Sequence, residues 1–81
     1  MKYTLSAHAK DVMHHRGIEP MWVDVVVAAP TLIVKINEFE THMFGMIEAN
    51  GNRCLKVVVN PAKALIVTVY FDRQMRKRGC K

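Results

Sequence analysis

Apolar positions along this chain change their spacing near Thr31. Before it they recur at helical intervals; after it they fall in short runs rich in Val, Ile and Phe. In AHAKDVMHHR, a 100° step per residue puts Ala9, Val12 and Met13 on one stripe, with Lys10, Asp11 and His14 on the wet side. Ser6 is placed to cap this helix and Gly17 to stop it. The next segment, GIEPMWVDVVVAAP, has Pro20 where a helix can begin and Pro30 where it must end. Its valines suit a strand equally well, but no two-residue alternation appears, so a short buried helix is expected. Beyond it, TLIVKI, HMFGMIEA, RCLKVVV and ALIVTVYF read as strands. Asn50-Gly51 signals a hairpin, and Asn60-Pro61-Ala62-Lys63 a second turn. Tyr3-Thr4-Leu5 can add a short leading strand. The expected fold class is α+β, with two N-terminal helices packed on one face of a three- to four-stranded antiparallel sheet.

The turns also predict a register. A two-residue loop at Asn50-Gly51 sets Glu48 opposite Arg53, Met46 opposite Leu55 and Phe44 opposite Val57. Pairing Val59 with Ala64 then sets Leu55 opposite Thr68 and Arg53 opposite Tyr70. One face thereby gains a polar row of Glu48, Arg53 and Tyr70, with Thr68 diagonally adjacent. The other face, with Ile47, Cys54, Val58, Leu65, Val67, Val69 and Phe71, becomes the platform for the helices, and Lys56 is its only charge. The row depends on parity, because a one-residue slip or a bulge turns a strand over.

Charge refines this picture. The 81 residues carry a net +5, and residues 72–81 hold five Lys or Arg against one Asp. The preceding 71 hold seven against six. The expectation is a near-neutral single domain, 1–71, followed by a basic tail, 72–81, whose Arg73, Arg76, Lys77 and Arg78 suit a phosphate backbone or an acidic partner. A solvated, frayed end is the plainer alternative. No apolar run reaches the length of a membrane span, and MKYTLSAHAK meets charge too early for a signal peptide, so a cytoplasmic protein without membrane contact is expected. Cys54 and Cys80 can form a bridge; a free buried thiol and a free tail thiol are the preferred reading.

HAKDVMHHRGI concentrates three histidines and an arginine. His8 and His15 share a face but sit two turns apart, about 10 Å along the axis, which is too far to share one metal ion. No metal site and no cofactor are expected. His8 flanks the apolar stripe. Arg16 falls at its centre in the last turn, so its charge must emerge at the helix end or meet a carboxylate or phosphate.

The spaced pattern S-x-HA-x(3)-M-x(2)-RGI-x-P, here SAHAKDVMHHRGIEP, together with LKVVV at 55–59 and IVTVY at 66–70, resembles the bacterial domain-of-unknown-function family 4258 over about residues 3–71. The chain departs from the pattern in KDV and in the extra His14-His15 pair, both on or beside the wet side. The resemblance implies a RelE-like fold, the fold of ribonuclease toxins from toxin–antitoxin pairs, and hence an mRNA interferase-like protein with RNA as substrate and an antitoxin as protein partner.

Metal-independent RNA cleavage needs a base, an acid and cations for the phosphorane charge. His8 and Glu48 are the candidate proton carriers, Arg16 and Arg53 the phosphate forks, and Tyr70 and Thr68 the groups that stack or donate a hydrogen bond. The alternative is a non-catalytic module that binds RNA or protein. Six Met residues with Trp22, Phe39 and Phe44 supply apolar contact for such a partner, including a second copy of the chain.

Overall fold

A computed structural model describes residues 3–80. The elements, in chain order, are β1 (Thr4–Leu5), α1 (Ala7–Arg16), α2 (Pro20–Ala28), β2 (Leu32–Asn37), β3 (Glu40–Ile47), β4 (Arg53–Asn60), β5 (Leu65–Phe71) and α3 (Arg73–Lys77). Both leading helices start and stop where local chemistry requires. Ser6 Oγ accepts from the Ala9 N–H at 3.0 Å, and Gly17 takes the left-handed conformation (φ 65°) that ends α1. Pro20 opens α2, where its missing N–H costs nothing.

The sheet corrects the expected count and direction of strands. It has five strands in the order β1-β5-β4-β3-β2, and β1 runs parallel to β5, so the sheet is mixed. The remaining pairs are antiparallel. The α+β class stands, and α1 and α2 do share one face. Ala9 and Met13 of α1, Ile18, and Val23 and Val26 of α2 bury against Ile47, Leu55, Val57, Val59, Ile66 and Val69. Each fully buried valine or leucine here contributes about 1.5–3 kcal/mol relative to exposure. The stretch read as a basic tail instead turns back through Cys80 and lays α3 on the opposite face. There Met75 and Cys80 pack with Phe44 and Cys54. Lys81, Met1 and Lys2 lie outside the described residues.

Register is where the expectation fails, and β4 is the strand that turned over. Five residues, not two, separate β3 from β4: a 3-10 turn at Glu48–Asn50, then Gly51 and Asn52 in left-handed conformations. Ile47 therefore sits opposite Arg53, Met46 opposite Cys54, and Phe44 opposite Lys56. Between β4 and β5, Asn60 pairs with Leu65, but Val58 pairs with Thr68, so Val67 is an extra, bulged residue. The bulge changes the parity, putting Lys56 opposite Tyr70 and Leu55 opposite Phe71. The Val67 carbonyl accepts a 2.9 Å hydrogen bond from Ser6 Oγ, so the α1 cap also satisfies the bulge. Arg53, Leu55 and Val57 consequently face the helices, while Cys54 and Val58 face α3's side.

Gly45 sets how closely α2 lies on β3. A Cβ there would stand 2.8 Å from Val26 Cγ2, closer than packed carbons allow. Gly45→Ala should destabilise the protein by about 1–3 kcal/mol, the usual cost of overpacking a core. Urea unfolding of Gly45→Ala, Val26→Ala and the double variant checks this: the two costs should fail to add, because the second change removes the methyls that clash.

Candidate functional site

The site forms where β4 begins and β5 ends. Turning β4 over aims Arg53 along the helix-facing side, where its guanidinium carbon lies 4.1 Å from the centre of the Phe71 ring. The Trp22 ring meets the same Phe71 edge to face, 6.3 Å between centroids. Trp22, Phe71 and Arg53 thus form a stack that fixes the arginine's stem, worth about 0.5–1 kcal/mol at a partly exposed site. The guanidinium keeps its charge and its forked donors for another group.

Asp72 then reverses the chain. Its N–H donates to the Cys54 carbonyl at 2.9 Å, and its Oδ1 accepts from the Met75 N–H at 3.0 Å as the cap of α3. At five residues, α3 is far too short to hold itself together in water. Besides the Asp72 bond to the Cys54 carbonyl, it is fixed by the Asp72 cap, the buried Met75, an Arg76 Nη2 bond to the Gly51 carbonyl at 3.3 Å, and a disulfide between Cys54 and Cys80. The disulfide overturns the expectation of two free thiols. Cys54 lies in the sheet and Cys80 just past α3, with 5.5 Å between their Cα atoms.

Between these parts lies a recess of about 720 Å³ lined by Arg53, Cys54, Phe71, Asp72, Arg73, Arg76 and Lys77. A second recess of about 270 Å³ shares Arg53, Phe71 and Arg73 with it and adds Arg16. The combined lining carries five cations from α1, the start of β4 and α3, against one carboxylate already engaged as a helix cap. Convergence of this kind concentrates positive potential and favours a polyanion.

The expected site residues divide accordingly. Arg16, Arg53, Arg73, Arg76 and Lys77 come together. Arg16 emerges at the end of α1, the outcome its central place on the apolar stripe required. Arg78 is exposed beyond α3 and is not among the lining residues. His8 is exposed in the first turn of α1, roughly 12 Å along the helix axis from Arg16, and does not line the recess. Glu48 is exposed in the turn after β3. Tyr70 and Thr68 lie on the opposite sheet face from Arg53, so the expected Glu48–Arg53–Tyr70 row does not form. Tyr70 instead has the Lys56 ammonium 5.1 Å from its ring centre.

Sequence reasoning missed Phe71 as the platform for Arg53 and Asp72 as a cap. The second was readable. An aspartate after the strand ALIVTVYF, then RQMRKR and Gly79, is the start and stop pattern of a short helix. Among family models, curated proteins and solved structures, nothing matches this chain.

This placement separates two substitutions. Arg53→Ala should weaken binding of a polyphosphate by about fivefold to tenfold, the loss of one charge-assisted contact. His8→Ala should change it by less than about twofold, since no recess residue depends on it. Fluorescence anisotropy of a labelled polyphosphate at low salt measures both.

Proposed function

We propose that the protein binds single-stranded RNA through the basic recess at the β4–β5 end of the sheet. The observation that carries this reading is the convergence of Arg16, Arg53, Arg73, Arg76 and Lys77 around Phe71. Arginine forks match phosphate oxygens two at a time, and four of the five cations are arginines. The lining sets an aromatic ring, Phe71, among the cations, a combination that suits a single strand with its bases free to stack better than a duplex. RNA as the polymer, a RelE-like arrangement of the helices and sheet, and a place in a toxin–antitoxin pair come from the family resemblance. The helix pair ahead of an antiparallel meander supports the second of these.

Cleavage is the finer expectation, and geometry supports it less well. An in-line attack by the 2′-OH needs a proton acceptor within hydrogen-bond reach. The lining offers arginines, a lysine and Asp72, one of whose oxygens caps α3. His8 and Glu48 belong to other parts of the surface. The non-catalytic module is therefore the preferred reading, with ribonuclease activity as an outcome of its test.

A protein partner is a second reading with its own support. The edge strand β2 and the turn after it leave Ile36 50% and Phe39 61% exposed, and an uncovered apolar edge can pair with another chain, whether an antitoxin or a second copy.

The test uses a labelled single-stranded RNA of about twelve nucleotides, EDTA and a salt series. The expected result is binding whose logarithm falls with log salt at a slope of roughly −3 to −4, as five phosphate contacts on a single strand require. Arg53→Ala should reduce that slope by about one contact. Binding that ignores salt would overturn the reading and leave the protein-partner alternative. Cleavage lost in Arg53→Ala would restore the ribonuclease.

A further inference from the structure

We propose that the Cys54–Cys80 bond is a redox gate on the basic recess. This inference rests on the RNA-binding reading and adds its regulation. Three of the five converging cations, Arg73, Arg76 and Lys77, ride on α3. Helix α3 has five residues and no intrinsic stability, so its position is set by its anchors. Beyond its chain link to β5, its covalent anchor among the described residues is the disulfide, which joins its far end to Cys54 in the wall of the same recess. Both cysteines are 0% exposed, and Met75 packs beside them against Phe44.

The geometry makes the dependence one-sided. The larger core, on the other sheet face, contains neither cysteine and takes nothing from α3. Breaking the bond removes the clamp on Arg73–Lys77 and leaves Arg16 and Arg53 in place, since these are held by α1 and by the Phe71 stack. What remains for α3 is its first-residue tether (the Asp72 N–H bond to the Cys54 carbonyl and the Asp72 cap), one buried methionine and one arginine–carbonyl bond. These are too few to keep a single helical turn docked.

The chemistry is thiol–disulfide exchange with a dithiol. Local opening of α3 exposes the bond. One thiolate of the dithiol attacks a cysteine sulfur, the other cysteine leaves as a thiolate, and a mixed disulfide forms. The second thiol of the reductant then displaces the first cysteine. The protein gains two electrons and two protons as two thiols, and the dithiol becomes its own disulfide. In the oxidised state the recess is complete; in the reduced state it keeps two of its five cations.

The experiment compares oxidised full-length protein, the same protein reduced with dithiothreitol, and Cys80→Ser, each with the labelled single-stranded RNA across a salt series. Far-UV circular dichroism and emission from Trp22 follow the body of the fold. The expected result is at least tenfold weaker binding for both the reduced protein and Cys80→Ser. Their salt slopes should be shallower by about two, for three lost contacts on a single strand, with dichroism and Trp22 emission nearly unchanged. Equal binding by the oxidised and reduced forms would overturn the gate and leave the RNA-binding reading standing. Collapse of the dichroism on reduction would also overturn it, by making the bond a staple for the whole domain. Failure of the oxidised protein to bind would remove the RNA-binding reading and the gate with it.

Discussion

The five-residue turn between β3 and β4 decides which side of the sheet every β4 side chain faces. An odd loop puts Arg53 opposite Ile47 and Cys54 opposite Met46. From that parity, Leu55, Val57 and Val59 become the floor of the helix-facing core, Arg53 reaches Phe71, and Cys54 points to the side where Cys80 can meet it. The Val67 bulge preserves the arrangement on the β5 side, bringing Phe71 rather than Tyr70 onto Arg53's face. Moving the turn by one residue would put a charged arginine where Cys54 is fully buried and a cysteine under the helices. Burying an unpaired charge costs several kcal/mol, so the core itself enforces the register.

Much of the fold was legible because it is local. Ser6, Gly17, Pro20 and Pro30 each act within a few residues, and the helices begin and end at them. The leading strand at Thr4–Leu5 and the burial of Ala9 and Met13 followed from the same short-range chemistry. The parallel pairing of β1 with β5 was not legible, since it joins the two ends of the sheet's chain path. Parity across the hairpins was also out of reach. Asn50-Gly51 favours a two-residue loop, yet the turn spreads to Asn52, and no run of valines reveals which one will bulge. The disulfide needs Cys54 on the face this parity gives it, and the spacing of the two cysteines alone did not reveal it.

The site shows the same division. Arg16 emerges at the helix end, as its angle on α1 required, and the cations of 73–77 stand out by charge alone. What joined them was structure that charge does not encode: a cap at Asp72, a sulfur bridge 26 residues long in sequence, and an aromatic ring that holds Arg53 in place. Tyr70 and Thr68, grouped with Arg53 by an even count, sit behind it on the other face. His8 shares a helix with Arg16 but stands at its opposite end. A histidine-rich stretch is thus helix surface at one end and part of the cationic lining at the other.

The proposed binding engages residues from α1, β4, β5 and α3 together. Backbone amide shifts of oxidised, isotope-labelled protein on addition of a short single-stranded RNA report this residue by residue. Shifts should cluster at Arg16, Arg53, Phe71 and Arg73–Lys77, with His8, His42 and Thr68 unmoved. Shifts centred on His8, or on His42 and Thr68 of the opposite face, would contradict it.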